Sequence, residues 1–386
     1  MSNFDFDSVI KRRGTGSYKW DSLADDVSIP MWVADMDFRT APAVIDALTQ
    51  RVQHGIFGYT KVPDDYYAAL ISWLSKRHHL QIERDWVLYT SGVVPAISAI
   101  LKAVTQPGDK VVVQTPAYNC FFSSIRNMEC QLVENPLVCH DQYYQMDYHD
   151  LEQKVSDPKV KALLLCNPHN PVGRSWTEDE LKQLGDICAR YGVIVISDEI
   201  HCDLVHPSGK HTPFATLGKD YLENSISCFS PSKAFNLAGL QIANIIAADS
   251  LIRERIDKAL NIHEVCDVNP FGVDALIAAY TQGEAWLDAL RAYLYENYQI
   301  VSQFFAENLP DLKVTREEAT YLVWVDIRAL QLSSEEVAQK LSEEGHLCVN
   351  PGTLYGREGE GFIRLNVACP KKLLLSGLNR IQSVFG

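Results

Sequence analysis

The sequence lacks the marks of a secreted, membrane-bound or nucleic-acid-binding protein. No apolar run approaches the roughly 20 residues that a membrane helix needs, and residues 1–7 are acidic and polar, unlike a signal peptide. Lys and Arg number 35 against 49 Asp and Glu, a net charge of −14, which disfavours nucleic acid and anionic membrane as partners. We therefore expect a cytoplasmic protein with neither kind of partner.

Paired cysteine motifs are also missing. The ten cysteines are scattered without any CxxC pair, and several, such as Cys166 and Cys228, lie inside apolar runs. This usage is typical of small buried side chains in a reducing compartment and predicts neither a disulfide frame nor a zinc site. His201-Cys202-Asp203 is a weak metal motif, because adjacent residues of a strand point to opposite faces. We expect no bound metal.

The sequence does contain an alternation of strand-like and helix-like segments. Its 386 residues, 47% of them hydrophobic, suit two domains or one large domain with a satellite. From about residue 85 to 265, continuous apolar runs alternate with segments of helical period, and Thr177–Glu180 forms a capping box before one of them. The runs expected to be buried strands are 110–114, 161–166, 193–197, 225–229 and 242–247. The alternation predicts an α/β fold with a mostly parallel sheet covered on both faces.

The character of the chain changes towards its carboxyl end. A long amphipathic helix is predicted over 284–305, followed by apolar strands at 321–325 and 361–366 and by helices at 334–344 and at the carboxyl end. We expect an amino-terminal segment, residues 1–50, that packs on the small domain. The large α/β domain is expected at 51–280 and the smaller α+β carboxyl-terminal domain at 281–386.

Polar groups follow several of the predicted strands. Asp198 follows one strand, and Ser230, Ser232 and Lys233 follow the next, 35 residues further on. Alone, each would have an ordinary explanation, such as a solvated strand end or a surface lysine. Ligands bind at the carboxyl ends of strands in open α/β sheets, however, and one strand–helix–strand excursion would bring Asp198 and Lys233 to the same edge.

Two further features belong to the same edge. Residues 167–173 (NPHNPVG) form a turn-rich string after a third strand, and Ser91, Gly92 and Val93 mark a strand-to-helix junction with free amides suited to a phosphate. Together the four features call for a ligand with a phosphate, a cationic ring nitrogen, a phenolic oxygen and an aldehyde. Pyridoxal 5′-phosphate has all four, and a carboxylate on its ring nitrogen suits its use as an electron sink.

These motifs resemble those of the fold-type-I pyridoxal-phosphate enzymes of the class I/II aminotransferase superfamily. The resemblance covers nearly the whole chain and is most specific at 167–173, at 197–201 (SDEIH) and at 230–233 (SPSK). Residues 30–38 (PMWVADMDF), 54–59 (HGIFGY) and 91–95 (SGVVP) are similar to the MalY/PatB group of carbon–sulfur lyases. The resemblance implies a pyridoxal-phosphate-dependent transferase-like fold with a mostly parallel sheet of seven-stranded type.

The resemblance also implies roles around the cofactor ring. Lys233 would hold the cofactor as a Schiff base and serve as the acid–base group, and Asp198 would pair with the pyridinium. Asn170 would hydrogen-bond the phenolic oxygen, unless it only forms a turn. Tyr118 would stack on the ring, unless it is a core or rim tyrosine. His201 would touch the ring oxygen or be a buried histidine beside it.

Other residues would hold the phosphate and the substrate. The amides of Gly92 and Val93 and the hydroxyls of Ser230 and Ser232 would bind the phosphate, although either serine could instead cap the backbone. Arg364 would bind the substrate carboxylate through two hydrogen bonds, or form a cross-strand ion pair. In a homodimer, Tyr59 would reach the phosphate of the neighbouring subunit, unless it packs within its own subunit.

Two positions depart from the aminotransferase pattern. Gln241 stands where an arginine commonly neutralises the phosphate, and His201 stands where a tyrosine is frequent. Both exchanges fit the lyase group. The implied function is cleavage of cystathionine, or a related cysteine S-conjugate, to pyruvate, ammonia and a thiol. The alternatives are a class I/II aminotransferase, or a lyase with an additional regulatory partner-binding role.

Overall fold

The computed structural model of the chain describes residues 4–23, 25–262 and 268–386. Its α-helices are α1 (Tyr18–Asp21), α2 (Pro42–His54), α3 (Asp64–His78), α4 (Val93–Val104), α5 (Asn119–Asn127), α6 (Tyr148–Val155), α7 (Glu178–Arg190), α8 (Lys219–Glu223), α9 (Ser250–Asn261), α10 (Pro270–Gln282), α11 (Glu284–Asn308), α12 (Ser334–Glu343) and α13 (Lys371–Phe385). Its strands are β1 (Ile29–Pro30), β2 (Val87–Thr90), β3 (Lys110–Thr115), β4 (Gln131–Pro136), β5 (Val138–His140), β6 (Tyr143–Gln145), β7 (Val160–Cys166), β8 (Ile194–Asp198), β9 (Ser225–Phe229), β10 (Ala243–Ile246), β11 (Lys313–Val314), β12 (Leu322–Asp326), β13 (Leu347–Cys348), β14 (Asn350–Pro351) and β15 (Phe362–Asn366).

A seven-stranded sheet forms the centre of the larger part of the chain. Its strand order is β2-β10-β9-β8-β7-β3-β4, and the strands are parallel except for β10, which runs antiparallel to both β2 and β9. The predicted mostly parallel sheet is therefore confirmed, and each of the five predicted apolar runs forms a strand to within a residue or two at either end. The order places the ends of β7, β8 and β9 side by side in the middle of the sheet.

The sheet is buried on both faces, as continuous apolar strands require. In β3, Val111 and Val113 pack into the same apolar cluster as Ile97 of α4, whereas Val112 faces the opposite cluster with Leu181 of α7. Helix α7 begins at the predicted capping box, in which the Thr177 hydroxyl accepts from the Glu180 amide and the Glu180 carboxylate accepts from Thr177. The helices thus fix the position of the strand ends between them.

A second, antiparallel sheet with strand order β11-β12-β15-β14 forms the core of the carboxyl-terminal part with α11, α12 and α13. The amino-terminal segment packs on this part, since β1 pairs in parallel with β13. The same segment also contacts the larger part, because the Asn236 side chain donates to the carbonyls of Met36 and Phe38. The domain boundaries near residues 50 and 280 stay a prediction.

Within the described ranges, each helix lacks either the length or the apolar content that a membrane-spanning helix needs.

Candidate active site

The carboxyl ends of three neighbouring strands bring the predicted site residues together. Asp198 ends β8, where it pairs with Cys166 of β7 and Cys228 of β9. Its carbonyl accepts a hydrogen bond from the Asn167 amide at 2.9 Å, which ties the 167–173 turn to the same edge. Lys233 follows β9 after three intervening residues, 230–232. The strand–helix–strand unit expected between Asp198 and Lys233 is thus present as β8, α8 and β9.

Asp198 is a buried carboxylate that lacks a cationic partner among the described residues. The residue is 5% exposed, and within the described residues its carboxylate accepts one hydrogen bond, from the Ile200 amide at 3.1 Å. Burial raises the pKa of Asp198 to about 7, although the nearby Lys233 opposes the rise. A buried charge without a partner is costly. A protonated ring nitrogen would supply the missing partner, so this residue fits the expected cofactor.

Lys233 provides an amine in the same site. Its Nζ donates to the Ala34 carbonyl oxygen at 2.8 Å. Burial, followed by the charge of Arg364, lowers the pKa of Lys233 to about 8, and Asp35, Asp198 and Cys120 act in the opposite direction. A lysine with such a pKa is partly neutral near pH 7 and can act as a nucleophile or a base.

Arg364 supplies a buried cation without a carboxylate partner in the described part of the chain. It is 3% exposed on β15, and its Nη1 donates to Asn170 Oδ1 at 3.2 Å while Nη2 donates to the Trp32 carbonyl at 2.7 Å. Its cross-strand neighbours are Trp324 and Asn350, so it does not form the cross-strand ion pair considered as an alternative. Its Nε is buried and has no hydrogen-bond partner among the described residues.

His201 and Tyr118 lie within electrostatic reach of these charges. His201 is 3% exposed, its Nδ1 has no partner among the described residues, and burial with the charges of Lys233 and Arg364 lowers its pKa to about 3. It is therefore neutral at physiological pH. Burial also raises the pKa of Tyr118; the charge of Asp198 adds to this rise, and the charge of Arg364 opposes it. Tyr118 also packs against the apolar cluster that contains Phe121, so its role at the ring stays a prediction.

The residues predicted to hold a phosphate are only partly arranged as expected. Gly92 is the N-cap of α4 and Val93 its first residue, which leaves the backbone amides of the first turn free. The Ser230 hydroxyl, however, donates to the Ile242 carbonyl at 2.6 Å and accepts from the Ser232 amide at 3.1 Å. In this arrangement the Ser230 hydroxyl caps the backbone, and its role at a phosphate stays a prediction.

Tyr59 lies away from these groups on the surface. It is 96% exposed, and Ile56 and Phe57 beside it are also exposed. The alternative that it packs within its own subunit does not hold. An exposed aromatic and apolar stretch of this kind is typical of a protein–protein contact.

Several residues of the site were not predicted from the sequence. Ala34 and Asp35 lie in the 30–38 motif, which was noted for its resemblance but given no role. The Tyr321 hydroxyl donates to the Ala34 carbonyl at 3.0 Å, and the Cys120 thiol acts on both Lys233 and Tyr118. The spacing of Tyr118 and Cys120 at the start of one helix is the only sequence signal that could have indicated Cys120.

A second buried network lies directly behind Asp198. Glu199 accepts from the Ser197 hydroxyl at 2.9 Å and from the Phe214 amide at 3.1 Å, and its Oε2 lies 2.8 Å from His211 Nε2. Burial raises the pKa of Glu199 to about 8 and lowers that of His211 well below its usual range. The pair therefore holds a single proton and anchors the end of β8.

Comparisons with known proteins agree with this arrangement. Cystathionine beta-lyase PatB of Bacillus subtilis (strain 168) is 42% identical over 382 residues, which cover 98% of this chain and 99% of that protein. A solved PLP-bound protein of Clostridium difficile 630, whose assignment as an aminotransferase is provisional, superposes with a TM-score of 0.97 at 41% identity, covering 100% of both chains. The PLP-bound C-S lyase of Staphylococcus hominis superposes with a TM-score of 0.93 at 34% identity, covering 99% of this chain and 98% of that one.

The family Aminotransferase class I and II matches residues 29–381. This range includes the strand ends that carry Asn170, Asp198 and Lys233, as well as Arg364 on β15. Sequence, fold and site geometry therefore lead to one conclusion: the chain belongs to the aminotransferase class I and II family.

Proposed function

We propose that the protein is a pyridoxal-phosphate-dependent carbon–sulfur β-lyase that cleaves cystathionine or a related cysteine S-conjugate to pyruvate, ammonia and a thiol. The observation that carries the proposal is Asp198, a buried carboxylate without a cationic partner in the described chain, at the same sheet edge as the Lys233 amine. The lyase reaction is supported by the full-length similarity to cystathionine beta-lyase PatB and to the C-S lyase of S. hominis.

The side chains around the site suit distinct parts of the cofactor. Asp198 would keep a proton on the ring nitrogen, because the resulting ion pair removes the cost of its buried charge. Asn170 and His201 would face the phenolic oxygen, and Tyr118 would cover the ring. The chemistry that pyridoxal phosphate supplies when bound is stabilisation of negative charge at the Cα of an attached amino acid.

The phosphate would be held mainly by backbone groups. The free amides of Gly92 and Val93 at the start of α4 suit an anion. Because the Ser230 proton is directed at the Ile242 carbonyl, Ser232 is the better hydroxyl donor of the two. Tyr59 from a second subunit would complete the set, which makes the active unit a homodimer.

The chain's own residues then account for the proton movements. Arg364 would bind the α-carboxylate of the substrate and so hold the Cα–H bond towards Lys233. Lys233 would remove that proton and deliver it to the sulfur that leaves from Cβ. Among the described residues we assign no second arginine to a dicarboxylic keto acid, which favours elimination over transamination.

The cellular setting follows from composition. Scattered cysteines and the net charge of −14 favour a cytoplasmic enzyme that acts on a small amino acid without a nucleic-acid or membrane partner. An additional regulatory contact with another protein stays a prediction that no structural feature described above favours.

The deciding experiment is an assay of the purified holoenzyme with cystathionine in the absence of any keto acid. Elimination should give pyruvate, ammonia and homocysteine in equal amounts. If pyruvate forms only when a keto acid is supplied, and a new amino acid accompanies it, the protein is an aminotransferase instead. Alanine, which has no leaving group on Cβ, is the matched control substrate and should give no ammonia.

A further inference from the structure

Four residues including Arg364 form a closed ring of contacts. The guanidinium carbon of Arg364 lies 4.9 Å from the centre of the Tyr355 ring, and Arg364 Nη2 donates to the Trp32 carbonyl at 2.7 Å. The Asn350 side-chain amide donates to the same Trp32 carbonyl at 3.1 Å and to the Tyr355 hydroxyl at 2.9 Å. Each of the four residues is thus held by two of the others, which fixes the position of the arginine.

Tyr355 reaches this arrangement from a short 3-10 helix, Gly352–Tyr355, that follows β14. The residue is 2% exposed, and its carbonyl accepts from the Ala117 amide at 2.8 Å. Burial raises the pKa of Tyr355, although the charge of Arg364 opposes the rise, so the phenol is neutral at physiological pH. A neutral aromatic ring presents a negative π face, which attracts a cation most strongly where water is excluded.

The contacts of the guanidinium engage only some of its donors. A guanidinium has five N–H groups, of which one on Nη1 is directed at Asn170 Oδ1 and one on Nη2 at the Trp32 carbonyl. The stacked Tyr355 ring takes up no N–H group, because it lies over the face of the guanidinium while the N–H groups point outwards in its plane. A carboxylate accepts two hydrogen bonds in that same plane.

We propose that Tyr355 sets the orientation of the Arg364 guanidinium and thereby its ability to bind the α-carboxylate of the amino-acid substrate through two hydrogen bonds. Tyr355 is a positioning residue, which acts through Arg364 and needs no contact with the substrate. The inference rests on the proposed function, since it takes Arg364 as the residue that binds the carboxylate.

The competing explanation is that Tyr355 only fills the core. Its ring meets the Trp324 ring edge to face at 5.5 Å, and a packing role would account for that contact. It would not account for the guanidinium over the ring, or for an Asn350 amide that holds both the Tyr355 hydroxyl and the carbonyl that Arg364 uses. A leucine at position 355 would still be apolar but would have no π face, so the two explanations differ in what they predict for that substitution.

The test titrates the holoenzyme with L-alanine and L-alaninamide, which differ only in whether the carboxyl group is an anion or a neutral amide. The visible absorbance of the bound cofactor reports binding. Tyr355→Leu removes the π face, so the Kd for L-alanine should rise roughly tenfold. The Kd for L-alaninamide should stay within roughly twofold, because a neutral amide gains little from an oriented guanidinium. Tyr355→Phe keeps the ring, so its Kd for L-alanine should lie within roughly threefold of the wild-type value.

The two ligands separate orientation of Arg364 from loosening of the site. Equal weakening of both ligands in Tyr355→Leu would overturn the proposal, and so would unchanged binding of L-alanine. If that variant does not fold, phenylalanine analogues with increasing ring fluorination at position 355 keep the shape of the ring and weaken its π face. The Kd for L-alanine should then rise with fluorination, and a flat series would overturn the proposal. An Arg364→Lys protein that binds L-alanine as tightly as the wild type would instead contradict the proposed function.

Discussion

Lys233 is the residue on which the proposed chemistry depends most directly. Replacement by Ala removes the amine that would bind the cofactor covalently, so Lys233→Ala should lose the visible band that borohydride reduces, or hold the cofactor only loosely. The absorbance spectrum before and after reduction and gel filtration checks this. Lys210, a lysine of the 208–212 loop away from the site, is a suitable control. An unchanged, reducible band in Lys233→Ala would falsify the assignment.

Arg364 offers a second prediction at the same scale. Arg364→Lys keeps the positive charge but loses the planar pair of donors that matches a carboxylate. We expect kcat/KM for cystathionine to fall roughly tenfold or more, mostly through KM, while the visible band stays. Steady-state kinetics with cystathionine measure this. A KM equal to that of the wild type would argue against carboxylate binding by Arg364.

At the residue scale, sequence reasoning was strongest where strand ends carry the side chains. Asp198, Asn170 and Lys233 could be brought together because parallel strands end at one edge of the sheet. The contact between Lys233 and Ala34 could not be predicted, since it joins residues 199 positions apart through an irregular segment. The hydrogen bond from the Ser230 hydroxyl to the Ile242 carbonyl could not be predicted either, because the direction of a hydroxyl depends on the folded backbone.

The elements of the sheet show where sequence patterns succeed and fail. Strands β7, β8 and β9 are continuous apolar runs and were predicted. Edge strand β4 was missed, because Gln131 and Leu132 are exposed and the segment has no apolar run or clean alternation. The antiparallel direction of β10 was also not predicted, since an apolar run has the same composition in either direction.

The end of β8 carries a prediction about pH and stability. The buried Glu199–His211 pair holds one proton in the folded state, whereas in the unfolded chain both groups are deprotonated above the ordinary His pKa of about 6.5. Burial raises the pKa of Glu199 to about 8. Between about pH 6.5 and that value, the folded state therefore binds more protons than the unfolded state. Stability should therefore fall as pH rises from about 6.5 to about 8.

The variant Glu199→Gln tests that linkage. In Glu199→Gln the free energy of unfolding should no longer fall with pH across this window. The slope that is lost is roughly 1.4 kcal/mol per pH unit for one proton. Denaturant unfolding of both proteins at several pH values across the window measures the slope. The same slope in both proteins would show that the proton is bound elsewhere.

At the scale of the whole molecule, the exposed Tyr59 points to a second subunit. In a homodimer with shared sites, mixing Tyr59→Phe with Lys233→Ala protein creates hybrids with one complete site. About a quarter of the wild-type activity should then return, because about half of randomly mixed dimers are hybrids. The assay is run at a cofactor concentration that does not saturate the Tyr59→Phe site. A fully active monomer in light scattering would contradict the shared site.

The overall architecture was largely predictable, and the path of the amino-terminal segment was only partly so. The order of strand-like and helix-like segments predicts a mostly parallel sheet followed by a smaller α+β part. The segment pairs with β13 through β1, and Asn236 also holds it from the larger part. A segment without a regular period offers no pattern from which such contacts could be predicted.

The pairing of β1 with β13 has a consequence for how the protein is made. Ile29 pairs with Leu347, so the first strand leaves the ribosome on the order of tens of seconds before its partner at ordinary rates of synthesis. The carbonyls of Trp32 and Ala34 are likewise synthesised well before Arg364 and Tyr321, whose side chains donate to them. The nascent chain can therefore complete the central sheet while the wall of the site that faces Lys233 is still missing, and only the finished polypeptide can enclose its cofactor.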